Sequence, residues 1–268
     1  MKRLRAAFNR LQAGRRKALM PFIMGGDPDL STTGPLLLAL QEAGADIIEV
    51  GIPFSDPLAD GPVIQASAGR ALAKGATPER VLAAIASVKR RLRVPVVCLT
   101  YWNPVIQFHR NSTLTPEPFL RAAAAAGVSG VIVPDLPVEE GAALARSAAR
   151  AGLAAVFLAS PTSPPQRLRM IARASSGFIY YVSVTGTTGV RRQLPSGLSH
   201  GVRQLKLLTT KPVCVGFGIS TPSQARAVAR ISDGVIIGSA LIDAIHRAGR
   251  RGAVRQARAF VSKLREVV

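Results

Sequence analysis

The stretch EVGIPFSDPLADGP, residues 49–62, is where the reading of this chain turns. It completes an apolar, β-branched run, DIIEVGI from Asp46, the composition of a strand covered on both faces. That buried strand nevertheless carries a carboxyl group, Glu49. A loop follows with Asp56 and Asp60 in a frame stiffened by Pro53, Pro57 and Pro62, and the chain then turns helical. Strand, rigid loop and helix together form part of a βα unit.

The same unit recurs along the sequence. Further strand-like runs are ALMPFIM from Ala18, VPVVCLTY from Val94, SGVIVPD from Ser129, LAAVFLAS from Leu153, GFIYYVSV from Gly177, PVCVGFGI from Pro212 and DGVIIGSA from Asp233. Most lie roughly 20 to 35 residues apart, with one longer gap, and Ala-, Leu- and Arg-rich helical stretches fill the intervals. Thr77, Thr115 and Thr221 each precede a proline, the pattern of a helix N-cap with Pro at the first helical position. Several helical stretches close on Ala-Gly, a C-cap signal. No linker-like stretch divides the chain. Eight strands alternating with helices predict a (β/α)8 TIM barrel spanning 1–268 as a single domain, with an extra N-terminal helix. A doubly wound open sheet is the alternative, but no GxGxxG follows any strand.

Composition limits the function classes. The chain has 268 residues, 48% hydrophobic and 19% charged, enough to bury a large core. No apolar run reaches the roughly 18 residues that span a bilayer, so no membrane role is expected. Cys98 and Cys214 both sit in apolar runs and read as buried thiols of a reducing compartment. The first 24 residues hold no acid, but they lack the apolar core of a secretory signal. A cytoplasmic location is expected. The net charge is +20, yet the basic residues are spread through several helices and are not interleaved with aromatics as a base-stacking surface requires. Nucleic acid is not the expected partner.

In a barrel the working face is the C-terminal end of the strands. Glu49 and Asp60, eleven residues apart, fall there. Burial pushes a carboxyl group toward protonation, which suits it to give and take protons near neutral pH. Asp56 precedes a proline and also reads as a turn former. Glycine segments after strands six, seven and eight (GTTG at 186–189, GFGIS at 216–220 and IGSA at 237–240) suit an oxyanion cradle, since backbone N–H groups and a helix N-terminus approach it closely. No lysine lies inside a strand run, so Schiff-base chemistry lacks its nucleophile, and Lys17 and Lys211 precede strands at the opposite face. His109, His200 and His246 are scattered, and no metal site is expected. What remains is carboxylate acid/base chemistry on a phosphorylated small molecule.

The segments PFIMGGDP (21–28), IEVGIPFSDPLADGPVIQ (48–65), PDLPVEE (134–140), GFGIS and IGSA, in that order, resemble the alpha subunit of tryptophan synthase over essentially the whole chain. The resemblance implies a (β/α)8 lyase that cleaves indole-3-glycerol phosphate to indole and glyceraldehyde 3-phosphate. It implies Glu49 as the general acid/base and Asp60 as the group that holds the indole N–H. Gly189, Gly218, Gly238 and Ser239 match the family's phosphate cradle, Phe22, Leu99 and Tyr180 its indole pocket, and Thr188 its closing loop. It also implies a beta subunit as partner in an alpha2beta2 assembly, with Pro53, Asp56, Asn103 and Asp135 near that contact. Pyridoxal phosphate is expected in the beta subunit, with no cofactor in this chain. A stand-alone lyase releasing free indole, and a catalytically idle barrel that activates a partner, are the alternatives.

Overall fold

The computed structural model describes residues 1–110, 114–182, 197–216 and 218–268. Its first strand, β1 (Ala18–Met24), is buried along its whole length, as a strand covered on both faces must be. It pairs in parallel with β2 (Ile48–Gly51) on one side and with the last strand, β8 (Gly234–Ile237), on the other. Between β2 and β8 run β3 (Val96–Leu99), β4 (Val128–Ile132), β5 (Ala154–Val156 and Leu158–Ala159), β6 (Ile179–Val182) and β7 (Val213–Gly216). All pairings are parallel and sequential.

The two pieces of β5 pair with different neighbours, the first with β4 and the second with β6. They are one strand interrupted at Phe157. Its N–H donates to the Ser175 hydroxyl at 3.3 Å, while its carbonyl accepts from the Tyr180 N–H at 3.2 Å. Counted so, the described residues form eight strands that follow one another around a barrel, as the sequence predicts.

Helix α1 (Lys2–Ala13) precedes the first strand and buries Leu4, Ala7, Phe8 and Leu11, a stripe at helical spacing. It lies across the N-terminal mouth. The terminal ammonium donates to the Ser129 and Gly152 carbonyls, and Phe8 packs 5.9 Å from Phe178. The outer layer continues with α2 (Leu30–Glu42), α3 (Pro62–Ala73), α4 (Pro78–Val88), the short α5 (Trp102–Ile106), α6 (Glu117–Ala126), α7 (Ala142–Arg150), α8 (Pro165–Ala174), α9 (Leu198–Leu207), α10 (Pro222–Ile231) and α11 (Ser239–Arg265), the last broken at Gly249. Among the described residues no helix is long and apolar enough to cross a membrane.

The cap signals fare unevenly, for a physical reason. The Thr77 hydroxyl accepts from the Arg80 N–H, and Thr221 forms a full capping box with Gln224. The expected Thr115 cap does not form, and α6 starts at Glu117 with Pro116 before it. The N–H that Thr115 would accept belongs to residue 118, which is a proline and has none. The Ala-Gly endings hold at Gly44, Gly127 and Gly152, all with positive φ.

Candidate active site

β2 delivers Glu49 to the barrel interior at its second residue, one pleat below the strand's C-terminal end. The residue is 1% exposed, and neither carboxyl oxygen has a hydrogen-bond partner among the described residues. Burial pushes its pKa up to about 8, and the neighbouring Asp60 carboxyl adds to the rise. A buried acid without partners is costly to ionise, so the group holds its proton at neutral pH.

Asp60 reaches the same cavity from the loop after β2. The loop is tied back on itself: Asp60 N–H donates to the Pro57 carbonyl at 3.0 Å, and Gln65 donates to the Asp60 carbonyl at 2.9 Å. The Tyr101 hydroxyl accepts from the Ala59 N–H at 3.0 Å and donates to the Asp60 carboxylate. Burial raises Asp60 to about 6, and the Tyr101 hydroxyl limits the rise. The two acids thus differ in proton affinity: near pH 7 Glu49 is protonated and Asp60 ionised, a division of roles set by environment.

The cavity is lined by Phe22, Glu49, Asp60, Ile64, Leu99, Tyr180, Gly218, Ile219, Ile236, Gly238 and Ser239. It is a greasy slot with two acids on one side and a glycine-rich rim on the other. Gly51 keeps it open, because a methyl group there would overlap the Phe22 ring. At the rim, Gly218 has φ +77°, a conformation that favours glycine. Its loop is braced by Gln224, whose side-chain oxygen accepts from Ser220 N–H at 2.9 Å, Ser220 hydroxyl at 3.1 Å and Thr221 N–H at 3.2 Å. Gly238 precedes the first turn of α11, which Ser239 opens, so unpaired helix N–H groups face the rim. Among the described residues the rim supplies donors for an anion and no lysine.

The sequence-derived site residues Glu49, Asp60, Phe22, Leu99, Tyr180, Gly218, Gly238 and Ser239 meet in this one cavity. Thr188 and Gly189 lie outside the described residues. Of the four residues assigned to a partner contact, Asp56, Asn103 and Asp135 are exposed, whereas Pro53 is buried beneath the loop it shapes. Asp135 accepts from the Trp102 N–H at 2.9 Å and 3.1 Å, which fixes the start of α5. Sequence reasoning missed Tyr101, the phenol that aims Asp60. Its place two residues beyond Leu99, on the mouth side of β3, was the available signal. It also missed Ile64, Ile219 and Ile236, which read as ordinary core. Cys98 is pushed up to about 12 and Cys214 upward too, both by burial, so neither thiol ionises near neutral pH. Among the described residues no group of histidines, cysteines and acids is arranged to hold a metal ion.

Comparison with known proteins gives one consistent result. Residues 8–268 match the family model described as "Tryptophan synthase alpha chain". The tryptophan synthase alpha chain of Gloeobacter violaceus is 48% identical over 265 residues, covering 98% of this chain and 94% of the relative. That of Prochlorococcus marinus is 50% identical over 259 residues, covering 96% and 92%. Among solved structures, Mycobacterium tuberculosis tryptophan synthase superposes with TM-score 0.89 at 36% identity, covering 99% of this chain and 98% of the other. Subunit alpha from Legionella pneumophila gives 0.88 at 35%, covering 99% and 97%.

Proposed function

The chain belongs to the tryptophan synthase alpha chain family, and from that premise we propose how its residues carry out the alpha reaction. The chain is a carbon–carbon lyase that cleaves indole-3-glycerol phosphate to indole and glyceraldehyde 3-phosphate in L-tryptophan biosynthesis. It acts as the alpha subunit with a beta subunit in an alpha2beta2 complex, and the pyridoxal phosphate of that complex belongs to beta. The finer reading adds that residues 1–268 act as a single barrel domain and work in the cytoplasm.

The observation that carries the mechanism is the Glu49 carboxyl group, buried, without a hydrogen-bond partner among the described residues and sharing one slot with Asp60. Protonated at neutral pH, Glu49 gives its proton to the indole ring carbon that bears the side chain. The ring then carries positive charge at its nitrogen, and ionised Asp60 holds that N–H and stabilises the charge. Glu49, now a carboxylate in an apolar site, takes the proton of the adjacent side-chain hydroxyl. The carbon–carbon bond breaks as that oxygen becomes the aldehyde, its electron pair returns to the ring, and indole leaves. Glu49 ends protonated, ready for the next cycle. Positioned acid/base groups of this kind contribute about 10²- to 10⁴-fold each.

Phe22, Leu99 and Tyr180 enclose the indole ring. Gly218, Gly238 and Ser239 take the phosphate through backbone N–H groups and the α11 N-terminus, and Gly189 and Thr188, which lie outside the described residues, are assigned to substrate binding by the family resemblance alone. Asp56, Asn103 and Asp135 face the beta subunit, beside Leu58, an apolar side chain 91% exposed.

The test supplies purified protein with indole-3-glycerol phosphate, with and without the beta subunit, and measures indole. Release that rises strongly with the partner supports the reading. No release in either condition overturns it.

A further inference from the structure

A second concavity, of about 530 Å³, opens at the N-terminal mouth of the barrel, at the end away from Glu49. Its walls come from α1 and the turn after it, and from the segments that lead into β1, β6, β7 and β8. Six cationic side chains line it (Arg5, Arg15, Arg16, Lys17, Lys206 and Lys211) against a single carboxylate, Asp233. That carboxylate is already engaged, by Lys206 at 2.7 Å and the Val213 N–H at 3.0 Å. Lys211 is spent on the Ala172 and Arg173 carbonyls at the end of α8. Among the described residues the side chains of Arg5, Asn9, Gln12 and Arg15 have no hydrogen-bond or ion-pair partner.

The turn at Arg15 is the second observation. Helix α1 ends with Arg15 N–H donating to the Gln12 carbonyl at 3.0 Å and Arg16 N–H to the Leu11 carbonyl at 2.8 Å, a motif that wants glycine at its left-handed position. A glycine is available one residue earlier, but Gly14 has φ −84° and Arg15 takes φ +52°. The chain therefore holds an arginine where a side chain is disfavoured, and the guanidinium it keeps lines the cavity.

We propose that this basin at the N-terminal mouth is a binding site for a small, multiply charged phosphate anion. Its volume falls in the range of small-molecule sites. Its surplus of positive charge in a concave wall focuses potential on an anion. Its free groups are guanidinium forks and side-chain amides, the donors that match phosphate oxygens. The site is separate from the phosphate cradle at the opposite mouth and does not depend on the lyase reading.

Inorganic pyrophosphate is the probe, titrated by calorimetry at physiological salt into the full chain, into R5Q/R15G, and into R251Q/R255Q, which removes two exposed charges from α11. The wild type is expected to show saturable binding that R5Q/R15G weakens at least tenfold and R251Q/R255Q leaves within twofold. Arg15→Gly places glycine in a left-handed turn, so the melting temperature should hold or rise, and a loss of binding cannot be ascribed to unfolding. Indole release by R5Q/R15G should equal that of the wild type. Pyrophosphate that does not saturate overturns the proposal. So does binding that survives R5Q/R15G, which places the ion elsewhere, or an equal loss in both variants, which reduces the effect to net charge.

Discussion

Glu49 stands in register with Phe22 across the β1–β2 ladder, so a proton-bearing carboxyl group and an aromatic ring share one level of the barrel. The ring helps exclude water from the acid, and the acid's proton affinity follows from that exclusion more than from any bond it makes. This desolvation sets the chemistry of the site, and its consequences can be measured.

The first concerns stability against pH. The native state holds the Glu49 proton up to about pH 8, against 4.5 for a free glutamate. The folded protein therefore binds this proton more tightly than the unfolded chain. Glu49's contribution is most favourable below pH 4.5 and is lost as the pH rises through about 8, at no more than about 1.4 kcal/mol per unit. Glu49→Gln removes this dependence. Denaturant unfolding of both proteins at pH 5 and pH 8.5 should show the variant gaining on the wild type at the higher pH. A constant difference would mean that the carboxyl group is solvated.

The second concerns Tyr101. Its hydroxyl favours the ionised form of Asp60 and accepts the Ala59 N–H. Tyr101→Phe removes both bonds, so Asp60 should hold its proton to a higher pH, and the acid limb of the pH–rate profile, expected near 6 in the wild type, should move upward. Turnover at pH 7 should fall about tenfold, the cost of one hydrogen bond to a charged group. An unmoved acid limb would show that Asp60 is not the group titrating there.

The third concerns a buried clamp outside the cavity. Asp27, after β1, accepts from Arg70 of α3 at 3.1 Å and 2.6 Å and from the Ser67 hydroxyl at 2.5 Å. It ties the helix that follows the Asp60 loop to the first strand's loop. Asp27→Asn should destabilise the fold by about 3 kcal/mol, the usual scale for breaking a buried pair. Turnover at saturating substrate should fall less than tenfold. Chemical denaturation and steady-state kinetics on one preparation separate the two effects.

Much of this was legible in the sequence because it depended on pattern. Fully apolar strands, the Thr221 cap and the paired acids at residues 49 and 60 each carry a local signal. What escaped depended on atoms distant in sequence. The Ser175 hydroxyl takes the Phe157 N–H and breaks β5, although LAAVFLAS reads as one strand. Tyr101 becomes functional only because the folded loop brings Ala59 and Asp60 to its hydroxyl. The missing Thr115 cap was readable from Pro118, two residues beyond the proline that signalled the cap.

The most direct test is indole release by Glu49→Gln. The amide fills the same space, and among the described residues neither carboxyl oxygen has a hydrogen bond to lose. Fold and affinity for indole-3-glycerol phosphate should therefore persist, while turnover falls at least about 100-fold for want of a proton carrier. Turnover within a few-fold of the wild type in a correctly folded variant would contradict the account.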